Sequence, residues 1–391
     1  MKLHINEIIR RNVVKYDKTT GIFNNGADNC YPQRVERIIN NSVTAKAAAN
    51  KAKTFIIGNG FKDKSLNDVV IFEDINGKIT LYDLLRQTAH SISRQNAASL
   101  NVQYNALYKK CGVKPMPYRN CRFGKKDSEN YSGFIHYYYN WDKKPELKFN
   151  INDVEKINIY NPDERVVESQ FKRGYKGQIA MLLLDDEYIY PLSQIDPSIE
   201  DADTESQIKS FKNSELRKGF FAKYILYHTA FNNQAEQDEF KRTLKRFESG
   251  EFDSSILMAE AQFTEDGDLM KGGNFQIQKL EQNINDKLFE TYEKTTSNNI
   301  RKSFWNIPSI LIEQQEAAMF GQSGEAMKAA FSIYNSELKN VRKSISQWYQ
   351  EIFSNFADGL FDNKDFEIEE LTYTQENGTM DNSGAASNQT A

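Results

Sequence analysis

From Ala326 to Phe356 apolar residues return every three or four positions: Ala326, Ala330, Tyr334, Leu338, Val341, Ile345, Trp348, Ile352 and Phe356. That period draws one stripe down one face of a helix. The spacing predicts a single helix of roughly thirty residues, far above the mean of about 11–12. Such a helix must bury its stripe along its whole length, against its own domain or a neighbour. Lys339, Arg342 and Lys343 fall on other faces. Ser323 is the expected N-cap, although Ala326 stands where a capping box carries an acid.

The same reading predicts a helix over 32–57, with Pro32 in its first turn, Val35, Ile38, Ile39, Val43, Ala47 and Ala48 at helical spacing, and Gly58-Asn59-Gly60 as its stop. Its Ala-rich, Lys-studded segment 44–53 is read as packing, with lysine stems along the surface, ahead of nucleic-acid binding. A second helix is predicted over 81–110, stopped by Gly112. Between Pro115 and Tyr190 the pattern changes to β-branched, aromatic and aliphatic runs at 134–139, 156–160 and 179–184, which predict strands. The Tyr137-Tyr138-Tyr139 and Trp141 cluster is read as cross-strand packing, with a base-stacking platform as the alternative. An acidic hinge at 200–203 precedes a helix ending at Lys218. Strands are expected at 220–230, 255–261 and 275–280, and a charged helix at 233–249. Beyond Gln375 the chain has almost no apolar residue and is expected to be disordered.

The segment 284–305 reads as a polar helix with few large apolar residues and a weak centre, Thr295-Thr296-Ser297-Asn298-Asn299. Lys287, Lys294 and Arg301 are spaced seven apart and share one face; a Glu290–Lys294 pair is the plainer account of Lys294. Pro308 then breaks the chain, and the loop Glu313 to Gly324 mixes Glu, Gln, Ala and Gly with one Met319-Phe320 pair. That composition cannot make a core, and long loops of this kind are functional or disordered.

At 391 residues, 39% apolar and 27% charged, the chain can bury a real core and reads as a soluble protein of two or three domains. A net charge of −4 lacks the basic footprint of a tight DNA binder, yet suits a surface past which DNA slides. Cys30, Cys111 and Cys121 form an odd, sparse set that fits a reducing cytoplasm. Cys111 and Cys121 with His90 and His136 lack the paired spacing of structural zinc, so no metal is expected. No signal peptide or membrane span is legible. There is no phosphate-binding loop, HExxH or GxSxG, and Gly174-Tyr175-Lys176-Gly177 is a turn. Asp185, Asp186 and Glu187 could hold a metal for nuclease chemistry, but lie where a solvated turn between strands would. No catalysis and no cofactor are expected.

Two local features, Asn306-Ile307-Pro308-Ser309-Ile310-Leu311 and Leu216-Arg217-Lys218-Gly219-Phe220, follow one another in an order that resembles the portal proteins of tailed bacteriophages. The resemblance spans about Pro32 to Phe361. It implies an α+β chain with an N-terminal wing (1–205), a first stem helix (206–219), a small αβ clip (220–282) and a second stem helix (283–306). A tunnel loop (307–324), a long helix with a reduced crown (325–361) and a tail (362–391) follow. It further implies a dodecameric ring at one capsid vertex of the virion, assembled in the host cytoplasm, that passes double-stranded DNA. The terminase large subunit, a neck or adaptor protein and the major capsid protein would be its partners. Lys287, Lys294, Arg301, Gln314, Gln315, Met319, Phe320 and Gln322 would line the channel. Lys241, Arg242, Lys245 and Arg246 would dock a partner.

Overall fold

A computed structural model of the chain describes residues 14–75, 77–126, 133–142, 151–185, 189–218, 224–229, 234–235, 238, 242, 256–261, 278–279, 286–312 and 323–373. Two compact units result: Met1–Ala202 with Ser297–Ala391, and Asp203–Thr296. In the first unit β1 (Tyr16–Asp17) and β2 (Ile22–Phe23) precede two helices, α1 (Tyr31–Asn41) and α2 (Val43–Ile57), where the pattern predicts one. Ser42 divides them. Its backbone is extended (φ −89°, ψ 127°) and its hydroxyl accepts from the Ala45 amide at 3.0 Å. Asn40, Asn41 and Ser42 are residues whose side chains compete with helical backbone bonds, so the run stops and restarts on a cap. Ala45, Ala48, Ala49 and Ala52 are wholly buried, which makes the Ala-rich segment core.

The hairpin β3 (Val70–Asp74) and β4 (Gly77–Thr80) leads into α3 (Leu81–Gln95), which a Thr80–Asp83 capping box starts. The predicted helix to Lys110 is wrong beyond Gln95. Asn96 turns left-handed (φ 56°), a conformation Asn tolerates, and β5 (Ala97–Tyr104) and β6 (Lys110–Met116) follow. Nearly every residue of β5 is buried on both faces, so the polar alternation that marks a strand is missing. β7 (Cys121–Lys126) and α4 (Glu164–Gln170) were not expected, whereas β8 (Gly133–Tyr137), β9 (Glu155–Ile159) and β10 (Gln178–Leu183) fall on the predicted runs. The eight strands form one sheet in the order β1-β2-β7-β8-β9-β10-β5-β6, parallel only at β9–β10. Segregated helices on a mostly antiparallel sheet make the fold α+β.

Arg122, fully buried in β7, locks the turn before α1. Its guanidinium donates to the Asn29 side chain and carbonyl, both at 2.6 Å, and lies 5.0 Å from the Trp141 ring. Trp141 in turn meets buried Tyr138 edge-on, so this part of the aromatic cluster is packing.

The acidic stretch 200–203 is helical: it lies in the first turn of α5 (Ile199–Lys218), where carboxylates complement the helix dipole, and the boundary between the two units falls between Ala202 and Asp203. In the second unit β11 (Tyr224–Thr229) pairs parallel with β12 (Ile256–Ala261) and antiparallel with β13 (Gln278–Lys279). α6 (Asp286–Ser303) then returns the chain to the first unit.

The C-terminal stripe lies on two helices, α7 (Ser323–Glu337) and α8 (Lys339–Phe353), with Leu338 at φ −91° and ψ 0° between them. The cause is Arg342, which is buried rather than set on an outer face. Its Nη2 donates at 2.8 Å to the Asn335 carbonyl, the acceptor that residue 339 would use in a continuous helix. Ala330, Tyr334, Leu338, Val341, Ile345, Trp348, Ile352 and Phe356 are all buried within the first unit; Ala326 is exposed. The stripe is therefore satisfied by its own chain. Leu338→Asp would report on folding, not on assembly.

Residues 361–373 return along residues 58–64. Phe361, Phe366 and Ile368 enter the core, Asn59 donates to the Glu369 carbonyl at 3.0 Å, and Glu369 donates to the Gly60 carbonyl at 2.8 Å. Ion pairs Lys62–Glu367 (2.6 Å), Lys364–Asp63 (2.8 Å) and Lys64–Glu369 flank these bonds. The expected disordered tail lies outside the described residues, as do 186–188 and 313–322.

Two predictions follow from this packing. Gly58 has φ 57°, and a Cβ there would sit 1.9 Å from the Glu369 carbonyl oxygen, so Gly58→Ala should cost about 2–3 kcal/mol. Equilibrium urea denaturation would show it as a lower midpoint, with earlier proteolysis at 364–373; an unchanged midpoint refutes the contact. His136 is buried in β8, and loss of hydration first, then Lys156, lower it to about 4. The unfolded chain takes up that proton near the ordinary value of about 6.5 and the folded chain only near 4. Stability is thus intact above about 6.5 and falls as pH drops toward 4. His136→Leu should flatten that slope in denaturation midpoints measured across the range.

Candidate functional site

The helices α5 and α6 are paired in antiparallel fashion within each unit. In the first unit Ser198 and Ser303 share a 2.8 Å hydroxyl hydrogen bond and Asn299 donates to Asp201 at 3.2 Å. In the second unit Phe211 stacks on Phe289 with centroids 5.6 Å apart, and Lys212 pairs with Glu293. Early residues of α5 thus face late residues of α6. Apolar content too low for an isolated helix is offset by a partner.

The three candidate channel cations do not share one environment. Lys287 lies in the first turn of α6. Lys294 in the second unit is 78% exposed at its side chain and sits 3.1 Å from Glu290, the i,i+4 pair expected. Arg301 in the first unit is half-buried; its guanidinium donates to Asn298 Oδ1 at 3.2 Å and to the Ile307 carbonyl at 3.5 Å. Arg301 is therefore tied to the chain break that follows it.

That break is a defined structure. Trp305 (φ 53°) and Asn306 (φ 52°) are both left-handed, which is rare for a bulky residue. Nested bonds hold them: Asn306 N–H to the Lys302 carbonyl and Ile307 N–H to the Arg301 carbonyl, each 3.1 Å. Buried Tyr334 donates to the Phe304 carbonyl at 3.2 Å. Ile300, Phe304, Ile307 and Leu311 enter the core, and Pro308 starts a short turn at Ser309–Leu311. Gln314, Gln315, Met319, Phe320 and Gln322 lie outside the described residues, between this turn and α7.

Of the candidate docking cations, Arg242 occupies a helical, exposed position; Lys241, Lys245 and Arg246 lie outside the described residues. Asp185 stands just beyond β10, and Asp186 and Glu187 lie outside. Among the described residues no group of three or more His, Cys, Asp or Glu is placed to hold a metal ion. Cys121 is buried, 3.7 Å from Ser99, and loss of hydration pushes its thiol up to about 12; Cys111 is exposed and Cys30 donates to the Trp141 carbonyl.

One buried charge carries no signal in the sequence. Lys110 opens β6 with its amine 2.9 Å from the Glu351 carbonyl and 3.4 Å from Ser354 Oγ, over the Tyr160 ring. It caps the C-terminal end of α8, where a cation meets the negative end of the dipole. Burial lowers it to about 8, against the opposing pull of Glu351.

No protein-family model and no curated protein matches the chain. Among solved structures it is similar to an HK97 family phage portal protein from Corynebacterium diphtheriae, at 10% identity and a TM-score of 0.46, covering 83% of this chain and 92% of that one. It is also similar to a chain in the neck of a native gene transfer agent particle computed with C12 symmetry, at 8% identity and a TM-score of 0.46, covering 88% and 84%. A chain in the virion of a native gene transfer agent particle matches at 9% identity and a TM-score of 0.46, covering 81% of each.

The geometry separates two cations that the sequence treats alike. Lys294→Gln should change stability by less than about 0.5 kcal/mol, as exposed i,i+4 pairs do. Arg301→Gln should cost about 1–2 kcal/mol through the turn at 305–307. Thermal or urea denaturation of both variants checks this; equal effects would disprove the anchoring role of Arg301.

Proposed function

We propose that this chain is a portal subunit, the head–tail connector of a tailed phage. One observation carries the reading: a unit with a small three-stranded sheet is inserted between two antiparallel helices, and the second helix runs into a core-anchored break. That order is what the sequence resemblance implies for stem, clip, stem and tunnel loop. In the proposal 1–205 is the wing, 220–282 the clip, and 307–324 the tunnel region.

Copies close a ring through heterologous contacts at one capsid vertex. Double-stranded DNA passes through it during packaging and ejection, driven by a separate terminase. The subunit assembles in the host cytoplasm and remains in the virion, against the major capsid protein. Lys241, Arg242, Lys245 and Arg246 on the clip dock the terminase large subunit or a neck adaptor. Lys287, Lys294 and Arg301 supply the sparse positive rings of the bore. Weak contact serves such a conduit, because each tightly neutralised phosphate raises the barrier to sliding. The loop holding Gln314, Gln315, Met319, Phe320 and Gln322 narrows the bore and touches DNA lightly.

Two measurements test this together. Mass determination in solution should give a closed ring of about a dozen chains. Deleting Gln314 to Gln322 should leave that ring intact and impair packaging or retention of DNA. A monomer that cuts DNA with magnesium, or a loop seated on the outer rim, overturns the proposal.

A further inference from the structure

A feature that this reading leaves without a role is a cavity of about 350 Å³ in the first unit, between α3 and the β5–β6 edge of the sheet. Its apolar wall is Leu100, Pro115, Met116 and Pro117. Five charged side chains, Glu36, Lys53, Asp83, Arg86 and Arg119, also line it. The carboxylates are occupied: Asp83 by Arg86 at 3.1 Å and by the cap of α3, and Glu36 by buried Arg94 at 3.4 Å. Lys53 and Arg119 pair with no carboxylate among the described residues, which leaves the cavity two positive charges in excess.

Lys53 is held below the ordinary lysine range by loss of hydration and then by Arg86 and Arg94, as expected where cations lack counter-charge.

We propose that this cavity binds a phosphate monoester with a compact, flat organic body. The phosphate lies between Lys53 and Arg119, while the body lies against the Pro115–Pro117 wall. A monoester carries a charge near −2 at neutral pH, which matches the excess, and offers several acceptor oxygens to donors on different sides. The cavity is of the size that holds small ligands. This inference is independent of the ring and the channel.

The test uses the full chain with adenosine 5′-monophosphate as probe and adenosine, inorganic phosphate and succinate as comparisons, read by thermal shift and titration calorimetry. The monophosphate should raise the melting temperature saturably and adenosine should not. Lys53→Gln and Arg119→Gln, both at the cavity rim, should weaken binding about tenfold each. No saturable effect of the monophosphate at millimolar concentration, or undiminished binding by both Lys53→Gln and Arg119→Gln, overturns the site. Inorganic phosphate or succinate bound as tightly as the monophosphate overturns the ligand class.

Discussion

The guanidinium of Arg342, in a residue only 4% exposed, donates to the carbonyl of Phe55 on α2, to the carbonyl and side chain of Asn335 on α7, and to Glu370 beyond α8. A charge withdrawn from water must be met by acceptors, because leaving it unmet costs several kcal/mol. Three separate stretches of chain are therefore bound to one position on α8. Burial lowers the arginine and Glu370 opposes that shift, but Glu370 is itself 54% exposed, so the carbonyls carry most of the compensation. The apolar stripe supplies the bulk attraction that brings α8 into the first unit. Arg342 fixes the register in which it arrives and the kink at Leu338.

What could be read in the chain depended on how local the deciding interaction was. The stripe from Ala330 to Phe356 announced its burial because a helical period is a property of neighbouring residues. The division at Leu338 was hidden, since Arg342 looks like a surface cation until its partners are known. β8, β9 and β10 stood out as apolar runs between turn residues, while β5 imitated a helix because both its faces are covered. The return of residues 364–370 onto 58–64 had no local mark, its partners being some three hundred positions away: the Lys64–Glu369 contact spans 305. At the candidate site the Glu290–Lys294 pair was legible for the same local reason, and the tether from Arg301 to Ile307 was not.

The left-handed pair Trp305 and Asn306 shows how the second of the paired helices ends. Each such residue costs on the order of 1–3 kcal/mol and survives only where its surroundings over-determine it. Here buried side chains stand on both sides, Phe304 before and Ile307 after, with Tyr334 holding the intervening backbone. The direction in which the chain leaves α6 is consequently a fixed property of the core. A polar connector that begins at residue 313 starts from a rigid base.

The strap at residues 364–370 has a consequence for biosynthesis. Residues 58–64 leave the ribosome early, yet their backbone partners at Glu367 and Glu369 are made some three hundred codons later. At about 5–20 residues per second that interval is on the order of 15–60 s, during which the edge beside α2 stays open. Closing so long a loop also places this contact late in folding. A nascent chain stalled before residue 361 would expose Phe61, Phe353 and Tyr349, aromatic rings that the finished protein keeps covered with Phe361 and Phe366. Synthesis of this strap is thus a condition for covering that side of the core.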